Sequence, residues 1–170
     1  MTVNKKGLRG YLSAPSGFAV VAEMAAGPNF NLTPVDAFLR AALEAGSTAL
    51  PKGYDFLGIT SPQNPSGVST VQPKDVFVHL QTHKLLGSLD FIPHITCKDQ
   101  NSDSLASELF GYRQAGIESV LAFTGDKPVS GKEVFELDSL GLLNLIQRAN
   151  NKVLLDAPAD KLASVPQFFP

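Results

Sequence analysis

A chain of 170 residues, of which 44% are hydrophobic and 18% charged, is long enough to bury a core and too apolar for a disordered protein. Its net charge of -2 gives no electrostatic reason to expect a nucleic acid or an anionic membrane as partner. A single cysteine, Cys97, excludes an intrachain disulfide. With no signal peptide and no apolar run of the roughly 20 residues that a bilayer helix needs, we expect a cytoplasmic protein.

The sequence predicts one βα segment four times in succession: a short apolar strand, a polar loop and a helix. In the first segment we expect a strand at 18–22 and a helix at 33–43, with Thr33 as N-cap and Pro34 as the first helical residue. The other three predicted strands span 54–60, 91–96 and 119–123, and their helices 73–86, 105–115 and 138–149, with a capping cluster at 101–104.

Apolar strands that alternate with amphipathic helices favour a parallel sheet buried on both faces, with right-handed crossovers. Four segments are half of a (β/α)8 barrel, which typically takes about 250 residues. We therefore predict an α/β fold of parallel βα segments that resembles the first half of a TIM barrel. The predicted organisation is a single truncated domain over residues 1–170, with an irregular tail at 151–170.

Polar side chains stand at the carboxyl end of every predicted strand, where parallel α/β folds carry their chemistry. These residues are Glu23, Thr60, His94, Thr96, Thr124 and Asp126. A carboxylate directly after an apolar strand is expected to be partly removed from water, so Glu23 and Asp126 are candidates for divided acid and electrostatic roles. The alternative is that these residues are polar only because strands end in loops that face water.

Other patterns predict no further chemistry. His79 and His83 have the i, i+4 spacing of a metal pair, but no third ligand is evident, so we expect a solvated pair and no metal site. Cys97 lacks a CxxC partner and is predicted to be a buried, inert thiol. The Pro/Gly/Ser-rich loop at 61–70 has neither the P-loop lysine nor the GxGxxG spacing of a nucleotide-phosphate loop.

An ordered set of segments resembles the methylenetetrahydrofolate reductase family over residues 18–150. The segments are VVAEM (20–24), GPNFN (27–31), PHITCKDQN (93–101), LAFTGDKP (121–128) and VFELDSLGLLNL (134–145). The resemblance implies an FAD-dependent (β/α)8 barrel that reduces 5,10-methylenetetrahydrofolate to 5-methyltetrahydrofolate. Its electrons would come from NAD(P)H or, as in some bacterial systems, from a partner protein.

The resemblance also implies roles for individual residues. Glu23 matches the general acid that protonates the folate nitrogen, so that the methylene bridge opens to an iminium ion. Asp126 matches the aspartate that lies by the flavin and the pterin and tunes both. Thr60, His94, Thr124 and Asp126 match positions that contact the flavin. Thr124 stands where family members commonly have an arginine, which removes a possible cationic contact.

The later segments of the family's barrel have no counterpart in this sequence. Four segments would leave two strand edges and an apolar face open, so we expect a homo-oligomer or a heteromer that completes the site. Two alternatives stay open at this point. One is a non-catalytic half-barrel subunit for binding or assembly, and the other is a folate-dependent methyltransferase, which would need no flavin.

Overall fold

The computed structural model describes residues 7–13, 17–27 and 32–151. The predicted tail lies outside the described residues from 152 onwards, and so does most of the GPNFN segment. The chain divides into two compact units, which we call the N-terminal unit (Met1–Asn64 with Ser69–Pro93) and the C-terminal unit (Pro65–Val68 with His94–Pro170). The single domain over 1–170 stays a prediction.

Helices and strands alternate along the whole described chain. The N-terminal unit contains α1 (Gly7–Ser13), β1 (Phe18–Glu23), α2 (Thr33–Thr48), β2 (Tyr54–Ser61), α3 (Pro73–Thr82) and the start of β3 (Asp90–Thr96). The C-terminal unit contains a 3-10 turn (Pro65–Gly67), the end of β3, α4 (Ser102–Gln114), β4 (Leu121–Phe123) and α5 (Ser139–Asn150).

All strand pairs are parallel, and the strand order is β1-β2-β3-β4. Helices α2, α3 and α4 therefore each connect a strand to the next strand of the sheet, as in the successive βα segments of a TIM barrel. The predicted fold class, an α/β fold of parallel βα segments, is confirmed.

The pairing of β1 with β2 shifts by one residue halfway along the strands. Val20 pairs with Phe56, whereas Val21 pairs with Gly58, so that β2 carries one extra residue, a β-bulge. After the shift, Glu23 lies opposite Thr60.

Each unit has its own apolar core. In the N-terminal unit, Leu39 of α2, Ile59 of β2 and Leu80 of α3 are fully buried. In the C-terminal unit, Ile95 of β3 and Leu142 of α5 are fully buried as well. Burial of such a side chain stabilises a fold by about 1.5–3 kcal/mol, so these residues hold the strands that carry the candidate site residues.

The prediction that all strands are buried on both faces is wrong for β1 and β4. Phe18 is 64% exposed and Val21 40% in β1, and Leu121 and Phe123 are 40% and 41% exposed in β4. The final residues of β2 and all of β3 after Asp90 are buried. The apolar pattern correctly predicts these strands, but the burial of their side chains depends on what covers each strand.

Helix ends differ from the predictions in several places: α2 continues to Thr48, beyond the predicted end at 43, and α4 begins at Ser102, before the predicted start at 105. The N-cap of α2 is Leu32, without a side-chain cap, so Thr33 is the first helical residue and not the cap. Helix α3 ends at Thr82, before Lys84 adopts a positive φ of 54°. The predicted capping cluster at 101–104 is confirmed, because Asn101 accepts a hydrogen bond from the Ser104 amide (2.8 Å). Asp138, predicted as the first helical residue, is the N-cap of α5 and accepts a hydrogen bond from the Gly141 amide (2.8 Å). The short helix α1 was not predicted.

Candidate functional site

Buried polar side chains in the described part of the chain gather at the carboxyl ends of two strands. In the N-terminal unit they follow the end of β2, and in the C-terminal unit they follow the course of β3. The buried polar residues are Thr60, Ser61, Gln63, His94, Thr96 and Lys98. Since a buried polar group is costly unless it is hydrogen-bonded, these positions are where the fold tolerates polarity in its interior.

In the N-terminal unit, Glu23 and Thr60 end neighbouring strands at the same level. They are register partners, and the Met24 amide donates to the Thr60 carbonyl oxygen at 2.8 Å. Thr60 is buried, whereas Glu23 is exposed. The expectation that Glu23 is partly removed from water is therefore wrong for this chain, because β1 itself is largely exposed.

The residues after Thr60 continue the polar end of β2. Ser61 is fully buried, and its Oγ has no hydrogen-bond partner among the described residues. The buried Gln63 donates through Nε2 to Oε1 of Gln72 (3.1 Å), and Gln72 donates to Oδ1 of Asn64 (2.9 Å). These amide contacts fix the start of the loop, and Ser61 offers a hydroxyl group for a further partner.

In the C-terminal unit, three polar residues alternate with two apolar ones along β3 and just beyond it. His94 and Thr96 share one face of β3, since successive strand residues point to opposite faces. Lys98 lies in the turn after the strand, and its stem and Thr96 both lie against Gly125. The His94 ring packs against Phe123 of β4 with a centroid distance of 5.0 Å.

The turn Thr124–Gly125–Asp126 follows β4 and packs against this polar face. The Lys98 amide donates to the Thr124 carbonyl oxygen at 3.1 Å. Gly125 has a φ of 90°, and a Cβ atom there would lie 2.9 Å from Cβ of Thr96 and 3.1 Å from Cγ of Lys98. Only glycine fits this position, both for its backbone conformation and for its close approach to β3.

Two further contacts fix the turn from its other side. The Ser139 amide at the start of α5 donates to Oγ1 of Thr124 (3.1 Å). The Val129 amide donates to the Gly67 carbonyl oxygen (3.1 Å), which holds the loop after Asp126. Asp126 is nevertheless exposed, so the predicted partial removal from water is wrong for this carboxylate too.

The structure thus brings Glu23 next to Thr60 in one unit. In the other it brings His94 next to Phe123, the residue before the Thr124–Asp126 turn. Sequence reasoning did not single out Ser61, Gln63 or Lys98. No strand periodicity could have predicted the burial of Lys98, because β3 ends at Thr96 and Lys98 lies in the turn that follows.

The contacts of His79, His83 and Cys97, which were expected to carry no chemistry, are those of structural residues. His79 Nε2 lies 2.7 Å from Oδ1 of Asp36 on α2, and its ring packs against His83 at 4.6 Å. No group of three metal-ligating side chains occurs within the described residues. Cys97 is buried as predicted, and burial, with a smaller contribution from the Asp138 carboxylate, raises the pKa of its thiol to about 11.

A cavity of about 410 Å³ in the N-terminal unit lies at the opposite end of β2. It is lined by the first residues of that strand, by the end of α2 and by the loop before β3, including Leu43, Tyr54, Asp55, Leu86 and Leu89. It is therefore separate from the carboxyl ends where the candidate residues lie.

The strand order and the polar strand ends define an α/β protein built from βα segments of the TIM-barrel kind. The family model described as methylenetetrahydrofolate reductase matches residues 56–156. The chain belongs to the methylenetetrahydrofolate reductase family. This membership indicates a folate-related reductase function, in a family that is generally flavin-dependent.

The matched region contains Thr60, His94, Thr124 and Asp126, while Glu23 precedes it. A comparison with curated proteins found no match to the chain. Within the described residues, no helix has both the length and the apolar character needed to cross a membrane.

Proposed function

We propose that this chain binds FAD and carries out the reduction of 5,10-methylenetetrahydrofolate to 5-methyltetrahydrofolate. The proposal rests mainly on one observation: the buried polar side chains of the described chain stand at the carboxyl ends of β2 and β3, within the region that matches the family. Parallel βα folds bind their cofactors at these strand ends.

The residues present are compatible with a flavin. The buried Ser61 hydroxyl without a partner among the described residues offers a hydrogen bond to a ligand. Gly125 has no side chain and lies close to Thr96, so the turn brings the backbone next to Asp126 against β3. In the proposal, Thr60, His94, Thr124 and Asp126 hold the flavin, which supplies the hydride chemistry when bound.

Glu23 is proposed as the general acid. Its Oε atoms would hold the proton that passes to the folate nitrogen when the methylene bridge opens. The exposed position of Glu23, beside the end of β2, leaves this carboxyl group accessible to a substrate. Asp126 would provide a negative charge held in a fixed place by the Gly125 turn, and so tune the rings nearby.

A second chain is proposed to complete the site, either another copy or a different subunit. The exposed apolar side chains of β1 and β4, among them Phe18 and Phe123, support association in each unit. The same exposure favours the second candidate function, a non-catalytic subunit that works only with a partner. NAD(P)H or a protein donor would supply the electrons.

Titration of the purified chain with FAD, followed by flavin fluorescence and combined with light scattering for the molar mass, tests the proposal. We expect saturable binding at micromolar concentration or below, on an associated form. His94→Ala should weaken binding at least tenfold, whereas His83→Ala, at an exposed histidine after α3, should leave it unchanged.

Three outcomes decide between the alternatives. Flavin binding with folate reduction supports the reductase, and flavin binding without reduction until a second chain is added supports the partner-dependent subunit. Folate binding by a chain that never binds flavin would overturn the proposal and favour the methyltransferase.

A further inference from the structure

Lys98 is buried to an extent that is unusual for a lysine. Only 3% of the residue is exposed, and it is the one lysine or arginine that is buried among the described residues. Lysine is almost never fully buried unless its charge is matched by other groups. The buried cationic side chain of Lys98 is therefore a feature that a functional proposal for the C-terminal unit has to include.

The position of Lys98 links it directly to the turn that carries Asp126. Its amide donates to the Thr124 carbonyl oxygen (3.1 Å), and its stem atoms Cγ and Cδ lie 3.1 and 3.2 Å from the point where a Gly125 Cβ would be. The ammonium group is two bonds beyond Cδ.

Two charges of opposite sign therefore flank Gly125: the Asp126 carboxylate follows it in sequence, and the Lys98 side chain lies across it. A flavin gains negative charge at its N1–C2=O edge when it is reduced and the N1 proton is lost. A cation nearby stabilises that reduced form over the oxidised form, and an anion has the opposite effect.

We infer that Lys98 is the cationic group that stabilises the reduced, anionic flavin at the Thr124–Asp126 turn. The inference rests on the proposed function. Lys98 raises the midpoint potential of bound FAD and Asp126 lowers it, so the pair sets the potential between them. The alkyl stem additionally holds Gly125 in place, which makes Lys98 a residue that both positions the turn and provides charge.

The test is the midpoint potential of bound FAD, measured by dye-coupled reduction, in three proteins. Lys98→Met keeps the length of the stem and removes the charge. We expect it to reduce the preference for reduced over oxidised FAD by about tenfold, which lowers a two-electron potential by about 30 mV. The matched control is Lys127→Met, because Lys127 is an exposed lysine that directly follows Asp126 and pairs with Glu133 at 3.1 Å.

A lowered potential in Lys98→Met, with Lys127→Met unchanged, supports the inference. Unaltered potentials in both variants overturn it while leaving flavin binding by the chain intact. If the unmodified chain binds no FAD, the proposed function and the inference both fall. Should Lys98→Met not fold, as judged by circular dichroism, Lys98→Gln removes the same charge with a polar tip. A potential equal to that of the unmodified protein then overturns the inference.

Discussion

The two units hold their proposed catalytic carboxylates in different ways. Glu23 ends a strand whose backbone fixes its place, through the register with Thr60 and the hydrogen bond from the Met24 amide. Asp126 follows a glycine that is packed against the side chains of Thr96 and Lys98. The surroundings of Asp126 are therefore sensitive to packing, whereas a change at Glu23 should alter chemistry with little effect on the fold.

Glu23→Gln should have the largest effect on activity of the variants proposed, and little effect on the fold. Removal of the proposed acid should lower the rate of folate reduction by about 10²–10⁴-fold, because general acid catalysis typically contributes that much. FAD binding and the thermal transition should remain nearly unchanged, since Glu23 is exposed. Steady-state folate reduction and an FAD titration measure the two effects.

Glu44→Gln, on the exposed surface of α2, is the control for Glu23→Gln and should retain full activity. A Glu23→Gln protein that lost flavin binding together with activity would show that the carboxylate is structural, and would remove it from the proposed acid role.

Gly125→Ala should disturb the C-terminal unit through packing. The new Cβ would meet Thr96 and Lys98 at 2.9–3.1 Å, in addition to the strain of a positive φ. Gly131→Ala is a matched control, since Gly131 has a φ of 95° but no atom within 4 Å of the added Cβ. We expect Gly131→Ala to cost the roughly 1–2 kcal/mol of backbone strain alone.

Denaturant unfolding measures the loss of unfolding free energy in each glycine variant. The difference between the two losses is the free-energy cost of the contacts that a Cβ atom at Gly125 would make. Equal losses of unfolding free energy would mean that the turn shifts to accept the Cβ atom at no added cost. Gly125 would then be needed only for its backbone conformation.

Asp126→Asn should shift the midpoint potential of bound FAD upwards, because it removes a negative charge that disfavours the anionic reduced flavin. Potentiometric titration measures the shift, and Glu133→Gln in the same exposed loop is the control. The direction is opposite to that expected for Lys98→Met, so the two variants together test whether charges on either side of Gly125 act on one cofactor. No shift would place Asp126 away from the flavin.

Cys97 should have the smallest effect, confined to alkaline pH. Its thiol has a folded pKa of about 11 against an ordinary value of 9.0, so the folded state holds the proton more tightly. The stabilisation from this group is complete below about pH 9 and is lost as the pH rises towards 11. The unfolding free energy should therefore fall more steeply over this range than in Cys97→Ala, and parallel curves would contradict the raised pKa.

Features that depend on residues close together in the sequence were predicted well. Features that depend on residues far apart in the sequence were not. The cap at Asn101 involves an amide three residues away, and it was predicted as part of the cluster at 101–104. Lys98 packs against a turn that follows β4, more than 20 residues later, and its burial was not predicted.

The candidate site shows the same division. Polar residues at strand ends could be placed from the sequence, because the strands were recognisable as apolar runs. The exposure of Glu23 and Asp126 to water could not be predicted from the sequence, because it depends on what covers β1 and the loop after β4. Their catalytic roles stay predictions, and the experiments above are designed to test them.

The extra residue in β2 has a consequence for how related sequences are compared. Before the bulge, β1 and β2 pair at an offset of 36 residues, and after it at 37. If the two strands kept the first offset to their ends, Glu23 would lie opposite Ile59, an apolar residue, instead of Thr60. Both registers contain the same residues, so a comparison of residue identities alone would not detect that the proposed acid has a different neighbour.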